Sequence, residues 1–102
     1  MLQHIVLFKT NPGLAPEIFD RIIADALQQL TTIPGVINLR AGTPLDESVG
    51  WDIGLSMEFA SREELEEYRK HPIHIAYVQE NLDENVLERK ALDFWMKQNE
   101  NT

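Results

Sequence analysis

The sequence predicts an α+β domain on the ferredoxin-like plan, one four-stranded antiparallel sheet covered on one face by helices. Three observations predict it. Two segments alternate apolar and polar residues with a period of two, a third is β-branched and aromatic throughout, and a fourth closes the chain. Helix-spaced apolar residues fill the gaps after the first and third of them, which gives the order β-α-β-β-α(α)-β. The opening strand is apolar on both sides, so both its faces need burial.

Gln3 to Lys9 is short and rich in β-branched and aromatic residues, and Asn11-Pro12-Gly13 breaks it, which predicts a strand ending in a turn. Pro16 suits the first turn of a helix, and Ile18, Phe19, Ile22, Ile23, Ala26, Leu27 and Leu30 follow at helical spacing. Pro34-Gly35 ends it. Val36 to Ala41 reads as a strand with Ile37, Leu39 and Ala41 opposite Asn38 and Arg40. Gly42 to Gly50 is a polar loop. Trp51 to Phe59 carries Trp51, Ile53, Leu55, Met57 and Phe59 on one face and Asp52, Gly54, Ser56 and Glu58 on the other.

Ser61-Arg62-Glu63-Glu64 is a capping box, which starts a helix with Leu65 and Tyr68 on one side. Proline at 72 disfavours helical dihedrals at His71, so that helix stops near Lys70 and another begins with Pro72 at its first position. Leu87 to Met96 is the last strand, with Leu92, Phe94 and Met96 opposite Ala91, Asp93 and Trp95. One face of the first strand lies under the helices. The other requires a second sheet, most simply from another copy, which predicts a homodimer through the open sheet face.

The composition narrows the function. The 102 residues are 43% apolar and 25% charged, as in a single globular domain. No cysteine is present, which excludes disulfides, thiolate metal sites and a cysteine nucleophile. Seventeen acids against nine bases leave a net charge of −8, which repels nucleic acid and anionic lipid. No apolar run is long enough to span a bilayer or to serve as a signal-peptide core, so the cytoplasm is the expected location.

Chemistry near neutral pH points to the three histidines, His4, His71 and His74. His74 falls in the first turn of the helix begun by Pro72, where the helix terminus favours a neutral imidazole. Tyr68 lies one helix earlier, placed to hydrogen-bond a carbonyl oxygen in the same cleft. A neutral imidazole beside a phenol donor can take a proton next to a carbonyl and stabilise the enolate. His4, on the same side as Val6 and Phe8, would orient His74 or the substrate. Two alternatives stand beside this reading: the histidines cap and pack only, or they join a carboxylate such as Asp52 around a metal. Their spacing matches no metal motif.

HIVLFK at the start, IPGV after the first helix, the run ending in EYRKHPIH and the closing LDFW resemble the stress-responsive A/B barrel (Dabb) family over about residues 2 to 96. The resemblance implies a domain over residues 1–97 whose dimer closes an eight-stranded α/β barrel, and the polar residues 98–102 read as a flexible tail. Most members have no established activity, some plant members are stress-induced, and one plant member is a cofactor-free polyketide cyclase. That cyclase's catalytic tyrosine and histidine correspond to Tyr68 and His74, and its early histidine corresponds to His4. Ile22, Ile23, Ala26 and Leu27, with Ile53 and His71, are the implied pocket positions. The cyclase has aromatic residues along the first helix and a histidine in place of Ile53, so a drier pocket and a different substrate are expected here. The expectation is therefore a dimeric protein of stress-related or unestablished role, with no cofactor and an apolar pocket for a small carbonyl-containing ligand. Cyclase- or isomerase-type catalysis and a purely structural assembly are the alternatives.

Overall fold

The structure, a computed structural model, describes residues 1–98. The expected tail thus lies, Gln98 apart, outside the described residues. Four strands and three helices alternate as β1 (Leu2–Thr10), α1 (Pro16–Gln29), β2 (Ile37–Gly42), β3 (Ile53–Phe59), α2 (Arg62–Lys70), α3 (Pro72–Tyr77) and β4 (Val86–Trp95). The strands form one antiparallel sheet in the order β2-β3-β1-β4, so the chain has the ferredoxin-like fold.

Strand β1 sets the two faces of the sheet. It is an inner strand, hydrogen-bonded to β3 on one side and β4 on the other. Leu2, His4, Val6 and Phe8 face the helices beside Phe59, Met57, Leu55 and Ile53 of β3. All four of those β3 residues are at most 3% exposed. They pack on Ile22 and Ala26 of α1, Leu65 and Tyr68 of α2, and Tyr77 of α3. Each large apolar side chain buried this fully contributes about 1.5–3 kcal/mol of transfer free energy. The opposite face carries Ile5 and Leu7 of β1 and Leu92 of β4, half-buried, and Phe94, 50% exposed, with no helix over them.

Three elements depart from the sequence reading. In β2, Ile37 pairs with Glu58 but Arg40 pairs with Ser56, so one extra residue is inserted. Asn38 absorbs it at a left-handed φ of 51°. Ile37 consequently shares the open face with Arg40, while only Leu39 and Ala41 pack toward the core. The third strand starts at Ile53, not Trp51, because the Asp52 carboxylate accepts from the Thr10 N–H (2.8 Å) and hydroxyl (3.1 Å). Trp51 lies off the strand, with the Lys9 ammonium 5.9 Å from its ring. After α3 the helix does not stop but widens into a π-helical turn over Val78–Leu82, and β4 begins at Val86.

Candidate functional site

The break between α2 and α3 builds the site. Ser61 caps α2, its hydroxyl accepting from the Glu64 N–H, and the Glu64 carboxylate reaches back to the Ala60 N–H. Leu65 and Tyr68, one turn apart, point into the core. At His71 the backbone turns extended (ψ 136°), as the following proline requires. The His71 imidazole then accepts from the Ile73 N–H and caps α3. The helix direction breaks at His71, and His74 in the first turn of α3 packs against Tyr68. Their ring centroids are 4.6 Å apart, tilted by 52°.

The His74 ring is held by one bond, from Nδ1–H to the carbonyl oxygen of Arg69 at 3.1 Å. A carbonyl only accepts, so Nδ1 carries the proton and Nε2 of the neutral ring carries a lone pair. Burial pushes the His74 pKa below its ordinary 6.5, against the Arg69 carbonyl bond, and the charges of His4, Arg89 and Arg69 push it the same way as burial. Burial likewise raises the Tyr68 phenol well above its usual 10. At neutral pH the pair is thus a lone-pair acceptor beside a hydroxyl donor. Tyr77 spends its hydroxyl on the Ile22 carbonyl at 2.7 Å; Tyr68 makes no comparable bond among the described residues.

His4 completes the group from the sheet. It is 4% exposed, its ring lies 6.1 Å from that of Tyr68, and its Nδ1 meets the Asp93 carboxylate of β4 at 2.5 Å. The other Asp93 oxygen accepts from Arg69 at 3.2 Å, and Arg69 also binds Glu66 at 2.9 Å. Asp93 therefore locks His4 and the end of α2 to the same strand. No sequence pattern marked that aspartate.

His4, Tyr68 and His74 converge on one cavity of about 370 Å³ between the sheet and α2–α3. Its walls are Val6, Phe8, Leu30, Leu55, Val78 and Leu82, and its mouth lies at β4, where Arg89 and Ala91 are exposed. The other expected lining residues lie elsewhere. Ile22 and Ala26 are completely buried in the core, Ile23 is half-buried, and Leu27 is 41% exposed, so none of the four lines the cavity. Helix α1 turns those positions onto β2 and the core, and the wall comes instead from Leu30 just past its end and from the π turn. Ile53 is core, and His71 is used as a cap. Asp52 is held by Thr10, so the three histidines and Asp52 do not gather. Among the described residues no group of three or more His, Asp or Glu side chains is placed to hold a metal ion.

A ferredoxin-like α+β domain with an imidazole–phenol cavity beneath its helices is the class that fold and site define. The chain belongs to the stress responsive A/B barrel domain family, Dabb, which matches residues 2–96. A Dabb family protein with a ferredoxin-like fold from Mesorhizobium loti is similar at 25% identity and a TM-score of 0.84, over 95% of this chain and 97% of that one. A dimeric ferredoxin-like protein of unknown function from Thermobifida fusca has a TM-score of 0.82 at 23% identity, over 93% and 90% of the two chains. Hydroxynitrile lyase from Passiflora edulis has a TM-score of 0.83 at 19% identity, over 96% and 94%. The last two likenesses concern the fold alone. No curated protein matches the chain in sequence. No helix among the described residues is long and apolar enough to cross a membrane.

Proposed function

We propose that this Dabb domain binds a small, largely apolar carbonyl compound in the His74 cavity and moves a proton on it without a cofactor. His74 Nε2 takes a proton from the carbon next to the carbonyl. The C–H electron pair becomes the enolate, whose oxygen accepts from the Tyr68 hydroxyl, and the proton then returns from Nε2 to carbon or is exchanged with water. One observation carries the reading: a neutral imidazole, its donor nitrogen spent on the Arg69 carbonyl, packed with its ring centroid 4.6 Å from that of a phenol that keeps its proton. The mostly apolar walls lower the local dielectric, which strengthens both interactions. That a neighbour of the same fold is a hydroxynitrile lyase supports the view that such a scaffold can house an enzyme.

The test is hydrogen–deuterium exchange at the α-carbon of propiophenone in heavy water, followed by NMR. The intact protein is expected to accelerate exchange and His74→Ala to abolish the acceleration. Exchange no faster than in buffer, or undiminished by the substitution, overturns the reading.

The same proposal includes a homodimer through the open sheet face, where Ile5, Leu7, Leu92 and Phe94 lie uncovered in a single subunit. Solved proteins of this fold from Thermobifida fusca and Bacteroides fragilis are described as dimeric, which supports it. The net charge of −8 opposes nucleic acid and anionic membranes as partners. A chain with no cysteine needs no oxidising compartment, in keeping with a cytoplasmic location.

A further inference from the structure

We propose that the ligand of the His74 cavity is a monocarboxylate, its carboxylate held at the mouth by Arg89 while its carbonyl end reaches Tyr68 and His74. The inference rests on the proposed carbonyl-binding reading and deepens it. Acids outnumber bases seventeen to nine in this chain, yet the cavity lining contains no aspartate or glutamate. It contains two of the five arginines and two of the three histidines. The cationic side chains of the lining, with no carboxylate among them, favour an anion over a cation in that cleft.

The two arginines are not equivalent. Arg69 is committed, with one guanidinium nitrogen 2.9 Å from Glu66 and the other 3.2 Å from Asp93. Arg89 has a single long contact, 3.7 Å to Asp83, and its side chain is 47% exposed. It stands on β4 opposite Phe8, on the helix-facing side of the sheet, so its guanidinium lies at the entrance with donors to spare. A planar fork of this kind matches a carboxylate. Arg89 and His74 line the same cavity, and the Arg89 charge helps to keep His74 neutral, so a bound anion and the base belong to one site. The apolar walls between them fit the hydrocarbon body of an aryl or aliphatic oxo acid.

Three probes separate the parts: benzoylpropionate, its uncharged methyl ester, and phenylbutyrate, which keeps the carboxylate but lacks the ketone. By isothermal titration at low ionic strength, benzoylpropionate is expected to bind at least about tenfold tighter than its ester, as a charge-assisted hydrogen bond would give. Arg89→Gln should erase most of that difference by weakening the acid far more than the ester, and Arg89→Lys should restore part of it. An ester that binds as well as the acid, indifference to Arg89→Gln, or no binding by any probe overturns the proposal. Phenylbutyrate binding as tightly as benzoylpropionate, and through Arg89, sustains the carboxylate subsite and instead overturns the carbonyl reading it was built on.

Discussion

The imidazole of His4 and the carboxylate of Asp93, 89 residues apart in the chain, meet at 2.5 Å on adjacent strands of the sheet. His4 is almost fully enclosed, so its Nδ1–H has no water to fall back on. Asp93→Ala is expected to cost about 1–3 kcal/mol, the usual penalty for orphaning a buried polar group. Asp93→Asn, which still offers an oxygen to His4, should cost less. Urea unfolding of the two variants checks the order, and equal losses would show that the bond to His4 is not what Asp93 supplies.

Tyr68 separates packing from chemistry. Its ring is wedged against Phe59, His4 and His74, with centroids 5.2, 6.1 and 4.6 Å away, whereas its hydroxyl makes no hydrogen bond among the described residues. Tyr68→Phe should therefore leave the unfolding midpoint nearly unchanged. It should slow α-proton exchange on a bound ketone by about 10²-fold, the effect of removing one donor to a developing oxyanion. A midpoint that collapses together with the rate would mean a structural hydroxyl.

Acidity should matter through His74. Burial disfavours its charged form, so the folded chain binds that proton less readily than the unfolded chain, whose pKa is near 6.5. The unfolded state then holds more protons as pH falls through 6.5 toward the lowered folded value, and stability declines across that window while staying level above it. Catalysed exchange should persist through that window and fall as pH reaches the lowered folded value, where Nε2 becomes protonated. Comparing the stability of the wild type and His74→Gln from neutral pH downward tests the assignment, since the variant should lose less. Parallel curves would refute it.

Ile5→Asp should dissociate the dimer, because it places a charge at the centre of the uncovered sheet face without touching the helix-facing core. Light scattering should report monomers, and a dimer that persists would mean the subunits meet elsewhere.

Ile22 belongs to the core and not to the cavity. Ile22→Val should cost about 0.5–1.5 kcal/mol of stability and leave ligand affinity unaltered. A shift in affinity without a loss of stability would restore it to the pocket wall.

What could be read in advance follows a physical line. Local rules carry local information: the alternation of Ile53 to Phe59, the cap at Ser61 and the helix break at His71-Pro72 each depend on a few neighbouring residues, and each is where the sequence places it. The two-sided apolarity of β1 is where the sequence places it, with Val6 and Phe8 under the helices and Ile5 and Leu7 on the uncovered face. The inserted residue at Asn38 was illegible because Ile37, Leu39 and Ala41 alternate perfectly well without it. Asp93 was illegible because its partner is a sheet neighbour remote in sequence. The cavity wall was misplaced for a similar reason: Leu30, Val78 and Leu82 meet only after α1 and the π turn have packed, and no periodicity announces a π turn.

The irregular pairing around Asn38 lies on β2, one of the two borders of the sheet. A flat border would be a template on which identical molecules could add strand after strand into a fibre. The kink spoils that template and so hinders endless edgewise growth.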